Sequence, residues 1–167
     1  EILDTARYAP TGSNTQLVQW VAVNEPEKIK ELVQLVIDWF GHCIEEKHPL
    51  SRILPMEAVI NAWENNGQDM VLRGAPALIV NHSPENGGMH AENCAIAMTY
   101  FELAAVTKGV GSCWAGFLTL AATFDPKIKD MLKIPENNKI YSALMIGYPK
   151  FQQLRIPERK NLSLDWV

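Results

Sequence analysis

A short loop near the start of the chain, "PTGSNTQ" at residues 10–16, concentrates the side chains best suited to hold a polar ligand. Its hydroxyls, amides and glycine come from Thr11, Ser13, Asn14, Gln16 and Gly12. The glycine lets the backbone approach a ligand, while the hydroxyls and amides can bond a polyol or the edge of a heterocycle. The same residue types form ordinary polar turns, which is the competing interpretation. Neither Walker A nor G-x-G-x-x-G is present, so a phosphate loop is not predicted.

The histidines and cysteines do not form a recognisable catalytic or metal-binding pattern. For the four histidines we expect surface or capping roles: His42, His48, His82 and His90. The three cysteines are odd in number and far apart, without a CxxC pair: Cys43, Cys94 and Cys113. They are interpreted as reduced thiols, and no metal site is predicted. An absent catalytic triad is expected wherever a bound cofactor carries the chemistry.

Composition places these residues in one globular domain spanning residues 1–167. The chain is 47% hydrophobic and 20% charged, which is enough apolar material for a sizeable core. A net charge of -4 gives no basic stripe for nucleic acid. No apolar run approaches the roughly 20 residues of a membrane span, and no leader pattern opens the chain. These features predict a cytoplasmic protein without a membrane or nucleic-acid partner.

The elements that must position the loop begin with a helix before it and a strand, "LVQWVAV" at residues 17–23, after it. The clearest amphipathic helix follows, with Asn24 as a possible cap and Pro26 in its first turn. Its apolar face consists of Ile29, Leu32, Val33, Val36 and Phe40. Residues 41–73 are less regular, with one helix around residues 55–64. They are interpreted either as a lid, with Phe40 or Trp63 facing a substrate, or as a simple cover over the core.

The second half of the chain continues to alternate strands and helices. A strand is predicted at residues 74–81, with "HSPENGG" after it as a loop. Residues 89–108 predict a helix that is apolar almost all round and ends at Gly109, so it must be buried in the core or against another subunit. "VGSCWAGFL" is strand or loop, Asp125 caps a short helix, and "IYSALMIGYP" is a strand. The basic tail is predicted to be extended. The class is α/β or α+β.

Five segments in the same order resemble the nitroreductase family of FMN-dependent oxidoreductases. They are "ILDTARYAPTGSNTQLVQWVAV", "RGAPALIV", the Ala-rich helix running into "TKGVGSCWAGFL", "YSALMIGYP" and "IPERK". The resemblance implies an α+β fold with a mainly antiparallel sheet flanked by helices. The variants "NTQLVQW" and "GSCWAGFL" look most like members fused to an N-terminal ferredoxin-like domain. The chain starts after the family's basic opening motif, so we expect it to be truncated at its N-terminus.

The resemblance also implies a role for each part of the site. Residues matching the family loop would contact the flavin ring and ribityl chain: Pro10, Thr11, Gly12, Asn14 and Gln16. Those matching "CWAGF" would run along the isoalloxazine: Cys113, Trp114, Ala115, Gly116 and Phe117. A backbone N–H near Gly116 would face the flavin N5, so no side chain is predicted to be catalytic. Arg159 and Lys160 would hold the FMN phosphate, for which charge-assisted donors are suited.

The implied activity is a ping-pong oxidoreduction. NAD(P)H, or reduced ferredoxin in the fused relatives, would reduce FMN, and a nitroaromatic or quinone-type acceptor would then take the electrons. Relatives form homodimers with FMN at the interface, and the apolar helix at residues 89–108 suits such an interface. A relative that uses the flavin for dehydrogenation or ring fragmentation is one alternative. The other is a non-enzymatic flavin-binding or interaction protein with the same fold.

Overall fold

A computed structural model describes residues 1–151 and 154–167 of the chain. Within them, a four-stranded sheet has the order β1-β2-β4-β3. Its strands are β1 (Gln19–Val23), β2 (Ala77–Pro84), β3 (Gly111–Trp114) and β4 (Asn138–Gly147). Every neighbouring pair is antiparallel, and β1 and β3 form the two edges. The prediction of an antiparallel sheet flanked by helices is confirmed.

Helices cover both faces of this sheet. They are α1 (Ile2–Ala6), α2 (Pro26–Glu45), α3 (Met56–Asn66), α4 (His90–Thr107), α5 (Gly116–Phe124) and α6 (Pro126–Met131). Successive strand residues point to opposite faces. Leu78 and Val80 therefore join the larger core cluster with α2, α3, α5 and α6, whereas Ile79 joins α1 and α4 in a smaller one. The helix predicted at residues 89–108 is confirmed as α4, and Gly109 follows it at φ 71°.

The amphipathic helix α2 is the largest contributor to the main core. Its predicted apolar face is buried, and Phe40 is fully enclosed, with its ring 5.5 Å from that of Trp39 and 5.3 Å from that of Phe117. The prediction that Phe40 faces a substrate is therefore wrong. The proposed cap Asn24 is also wrong, because Glu25 is the N-cap residue. Pro26 occupies the first turn, and the residue before a proline favours extended backbone.

Part of the segment at residues 41–73 is core rather than lid. The helix α2 continues through Gly41 to Glu45 because its apolar face extends to Cys43, which is buried. In α3, Met56 and Val59 are buried in the main core cluster. The interpretation of this segment as a cover over the core is confirmed for these residues.

Strand β2 differs most from its prediction. It begins at Ala77 and runs through His82 and Ser83 to Pro84, which were predicted to be loop. His82 is buried and its Nδ1 lies 2.8 Å from the Nδ2 of Asn138. Polar residues can occupy a buried strand when they hydrogen bond to each other. Apolar patterning alone therefore ended the strand too early.

The four histidines divide into two pairs. His42 is exposed, and His48 caps a 3₁₀ turn by accepting the Leu50 N–H, as expected. His82 and His90 are buried, so the prediction of surface or capping roles is wrong for these two. All three cysteines are free thiols, as predicted. Burial raises the pKa of the Cys94 thiol to about 12.

The buried His82 predicts a pH dependence of stability. Burial lowers the pKa of its imidazole below the ordinary value of 6.5. Below that pH the unfolded chain takes up a proton that the folded chain binds more weakly, so the free energy of unfolding should decrease as the pH falls. In His82→Gln the contribution of this imidazole to the pH dependence of the free energy of unfolding disappears. Denaturant unfolding between about pH 5 and 8 measures the difference in slope.

The exposed His42 provides the matched control, since His42→Gln also removes one imidazole from the chain. We expect His82→Gln to flatten the acidic side of the stability profile and His42→Gln to flatten it less. An equal change in the two variants would contradict the assignment of this pH dependence to His82.

Candidate functional site

The loop of residues 10–16 connects α1 to β1 and is folded back on itself. The Gln16 N–H donates to Thr11 Oγ1 at 3.0 Å, and the Gln16 side-chain amide donates to Asn14 Oδ1 at 3.0 Å. Between them, the Asn14 N–H donates to the Thr11 carbonyl at 2.9 Å. Three of the predicted ligand residues thus form one hydrogen-bonded cluster.

The backbone of this loop is strained. Ser13, Asn14 and Gln16 have φ angles of 53°, 52° and 52°. Left-handed backbone at a residue other than glycine costs on the order of 1–3 kcal/mol, and such residues concentrate at ligand sites and turns. Asn tolerates this conformation better than most residues. Contacts from outside the loop must therefore help to hold it.

Gly12 carries one of these contacts. Its N–H donates to Oδ1 of the buried Asn93 on α4 at 2.9 Å. A Cβ at this position would lie 3.3 Å from the Met89 Sδ, which is tighter than an ordinary contact. The glycine therefore lets the loop approach α4, and its N–H is already used there rather than free for a ligand.

The other end of the loop is held through Ser83. The Ser83 hydroxyl donates to the Leu17 carbonyl at 3.1 Å, and its Oγ lies 3.0 Å from the Nδ1 of His90. A hydroxyl has only one proton, so both contacts are hydrogen bonds when His90 carries its proton on Nδ1. Ser83 and His90 are both buried.

A cavity of about 330 Å³, here called the loop pocket, lies where the loop meets α1, β1 and α4. It is lined by Ala6, Arg7, Tyr8, Ala9, Thr11, Gln16, Val18, Trp20 and Ala97. The sequence reasoning missed Arg7, whose guanidinium donates to the Tyr8 hydroxyl at 3.2 Å. Its signal was a cationic side chain three residues before Pro10.

A second cavity of about 330 Å³, here called the turn pocket, lies beside the turn from β3 into α5. It is lined by Leu54, Met70, Val71, Arg73, Trp114, Gly116, Phe117, Leu120 and Met145. The helix α5 starts at Gly116, and its N-cap residue Ala115 makes no side-chain cap hydrogen bond. The first N–H groups of a helix have no partner inside it. Gly116 and Phe117 line this pocket, so their N–H groups are candidate donors to a ligand there.

The residues of this turn differ in the open space around them and in whether their backbone N–H is already hydrogen bonded. A Cβ on Gly116 would have no heavy atom within 4 Å. The Ala115 N–H, by contrast, already donates to the Ala143 carbonyl at 2.9 Å. Cys113 is exposed, and Phe117 packs on the core ring of Phe40. Among these residues, Gly116 therefore combines a helix-start N–H with open space.

Glu102 on α4 positions the side chains of β3 and was missed from the sequence. One carboxylate oxygen accepts from the Ser112 hydroxyl at 3.0 Å and the other from the Trp114 indole N–H at 3.1 Å. Trp114 remains 46% exposed, so its ring is not enclosed in the core. The signal for this role was one carboxylate in an otherwise apolar half of α4.

The predicted phosphate ligands lie in the C-terminal tail. Arg159 and Lys160 are exposed, and the Arg159 guanidinium donates to the Glu158 carbonyl at 3.3 Å. Residues 154–167 form no helix or strand, as predicted for an extended tail, while Gln152 and Gln153 lie outside the described residues. Neither basic residue lines the loop pocket or the turn pocket as the structure describes them.

The fold places the loop and the turn apart within one chain. The loop leads into edge strand β1, whereas the turn leaves edge strand β3. These edges are three strand spacings, or roughly 14 Å, apart. The two pockets have no lining residue in common. The loop and turn residues therefore form two separate groups on one chain, and Arg159 and Lys160 line neither pocket.

Metal and membrane features are absent from the part of the chain that the structure describes. No group of three or more His, Cys, Asp or Glu side chains is placed to hold a metal ion there. Among the same residues, every helix is too short or too polar to cross a bilayer.

A family model described as the nitroreductase family matches residues 1–148. A protein of Archaeoglobus fulgidus with the provisional name NADH dehydrogenase/NAD(P)H nitroreductase is 26% identical over 150 residues, which cover 90% of this chain and 71% of that protein.

Solved structures have the same fold. A Bacteroides fragilis nitroreductase with bound FMN superposes with a TM-score of 0.76 at 24% identity, covering 99% of this chain and 84% of that one. A Desulfitobacterium hafniense nitroreductase with bound FMN gives a TM-score of 0.69 at 21% identity, covering 94% and 80% of the two chains.

Proposed function

The chain belongs to the nitroreductase family, and from that premise we propose that it is an FMN-dependent oxidoreductase. It would take electrons from NAD(P)H and pass them to a small nitroaromatic or quinone-type acceptor by a ping-pong mechanism. The observation that carries this proposal is the uncapped start of α5 at Gly116, which opens into the turn pocket.

The residues of the turn fit the edge of a flavin. When bound, FMN supplies the redox chemistry, since a flavin accepts a hydride at N5 and passes electrons on. The free N–H of Gly116 would face that nitrogen, where a fixed donor stabilises negative charge that develops there. The segment from Cys113 through Trp114 and Ala115 to Phe117 would run along the ring. Glu102 keeps the Trp114 indole in place by accepting its N–H.

The loop supplies the polar contacts. The amides and hydroxyl of Thr11, Asn14 and Gln16 would bond the ring edge and the ribityl chain, with Pro10 packing beside them. Gly12 contributes by holding the loop against α4, because its N–H is used by Asn93. Arg159 and Lys160 would hold the phosphate through charge-assisted hydrogen bonds. Both side chains are exposed and therefore free of the core.

A second copy of the chain would unite the loop and the turn. Four apolar side chains stand exposed along one side of α4: Ile96, Tyr100, Leu103 and Val106. Near one end, α4 holds the loop through Asn93, and nearer the other it holds the turn through Glu102. These two residues are nine positions, or roughly 14 Å, apart along the helix. A homodimer is therefore proposed with α4 at its interface.

Two-fold symmetry would then build the site. Helices related by a two-fold axis perpendicular to them run antiparallel, so the beginning of one α4 lies beside the end of its partner. The loop of one protomer would thereby approach the turn of the other. This arrangement supports two equivalent flavin sites at the interface, each using residues of both chains.

The electron donor is proposed from the family and from the name of the archaeal relative, which refers to NAD(P)H. Reduced ferredoxin is the second candidate donor, and only the resemblance of two segments to members fused to a ferredoxin-like domain suggests it. NAD(P)H is therefore the donor we propose.

An absorbance spectrum tests the cofactor. Purified protein is mixed with FMN, desalted and scanned from the near ultraviolet through the visible range. We expect the twin flavin bands to remain with the protein. Loss of both bands on desalting contradicts the proposed function.

Turnover distinguishes the enzyme from a non-enzymatic flavin-binding protein. We expect FMN-dependent oxidation of NADH or NADPH with menadione or nitrofurazone as acceptor. A protein that keeps FMN but shows no turnover with NADH, NADPH or reduced ferredoxin favours the non-enzymatic alternative.

A further inference from the structure

The first turn of α4 holds the loop of residues 10–16 at both of its ends. Asn93 accepts the Gly12 N–H at 2.9 Å, and His90 orients Ser83, whose hydroxyl donates to the Leu17 carbonyl at 3.1 Å. These are contacts between segments far apart in the chain, since Asn93 and Gly12 are separated by 81 positions. Together they bracket the stretch that carries the candidate flavin ligands.

The backbone between the attachments at Gly12 and Leu17 needs this support from α4. Three residues in this stretch have left-handed backbone without being glycine: Ser13, Asn14 and Gln16. Strained backbone of this kind persists only where the surroundings over-determine it. Internal hydrogen bonds give the loop a shape, but they do not fix its place against the rest of the protein.

We propose that Asn93 and the His90–Ser83 pair are positioning residues that hold the flavin-binding loop in its binding conformation before the cofactor arrives. The proposal rests on the function proposed above. None of the three side chains needs to touch the flavin. Their effect is to remove the ordering cost that a free loop would incur on binding, which is how preorganisation increases affinity.

Asn93→Ala tests the first attachment. Without the Asn93 oxygen, the Gly12 N–H has no acceptor and the loop loses its direct link to α4. In the apo protein we expect amide hydrogen exchange across residues 11–18 to become at least about tenfold faster. FMN binding should weaken by about ten- to thirtyfold, measured by titration of flavin fluorescence.

Asn93→Asp is the conservative rescue. Aspartate keeps an acceptor oxygen at the same position, and in the first turn of a helix the dipole offsets part of the cost of burying its charge. We expect it to retain slow exchange and FMN affinity within about threefold of the wild type, a shift below the tenfold that one lost hydrogen bond produces. Asn137→Ala is the matched control, because Asn137 is exposed and uses only its backbone carbonyl.

The outcomes separate positioning from simple structural support. Unchanged exchange and FMN affinity in Asn93→Ala overturns the proposal, even if its melting temperature falls. Equal losses in Asn93→Ala and Asn93→Asp also overturn it. Should Asn93→Ala not fold, Asn93→Ser takes its place, because serine is too short to reach Gly12. Exchange is measured without FMN, so it tests the attachment of the loop to α4 separately, and a wild type that binds no flavin contradicts the proposed function instead.

Discussion

Leu103→Glu is expected to convert the proposed dimer into a monomer that no longer retains FMN. Leu103 is 66% exposed in the single chain and lies in the middle of the apolar side of α4. In a two-fold interface each substitution occurs twice, so two carboxylates would be buried without partners. The desolvation cost is several kcal/mol per charge, which is enough to weaken dimerisation by at least about a hundredfold.

Analytical ultracentrifugation, together with the flavin absorbance after desalting, measures both parts of this prediction. Ile53→Glu is the control, because Ile53 is also exposed and apolar but does not lie on α4. It should remain dimeric and keep FMN. A Leu103→Glu protein that stays dimeric with a full flavin complement would place the interface elsewhere. One that becomes monomeric yet keeps FMN would show that a single chain completes the site.

Local patterns predicted the elements whose cause lies within a few residues. The apolar spacing of α2 was sufficient because burial of one face determines that helix. Asp125 was correctly predicted as an N-cap, and its carboxylate accepts the Lys127 N–H at 2.9 Å. Gly109 was predicted at the end of α4 because a left-handed residue is favoured there. Each of these signals lies within the helix that it predicts or at one end of it.

Elements supported by distant partners were not predictable in the same way. His82 and Ser83 look like loop residues until their partners Asn138 and His90 are known, and Asn138 lies 56 positions away from His82. Sheet order is likewise a property of pairs of segments rather than of any one of them. The loop sequence predicted candidate ligands but not the residue that anchors it, since nothing near Gly12 indicates Asn93.

In the candidate site, too, local sequence predicted the short segments but not their arrangement in the fold. The resemblance identified the loop and the turn as two short segments, and each forms a pocket of its own. That they lie at opposite edges of the sheet follows only from topology. This separation is the physical reason for proposing that the site needs two chains. Predicting it from sequence would have required the strand order, which periodicity does not encode.

Phe40→Ala is expected to destabilise the protein strongly, because Phe40 is a core residue rather than a substrate contact. Its side chain has 0% exposure and packs between the rings of Trp39 and Phe117. Truncating a buried phenylalanine costs about 3–5 kcal/mol. For a domain of this size the melting temperature should fall by roughly 6–20 °C. Thermal unfolding at a fixed FMN concentration measures the change.

The same substitution tests how the core supports the site. Phe117 is the second residue of α5 and packs edge-on against Phe40, so the cavity left by Phe40→Ala removes support from the helix start that Gly116 opens. FMN affinity should therefore fall along with stability, whereas Phe40→Leu, which keeps most of the volume, should lose about 1.5 kcal/mol or less. A Phe40→Ala protein with an unchanged melting temperature and an altered KM for the acceptor would contradict the core assignment. It would indicate that Phe40 contacts the substrate. The structure predicts the opposite result, because a side chain enclosed by Trp39 and Phe117 can reach a substrate only if the core opens.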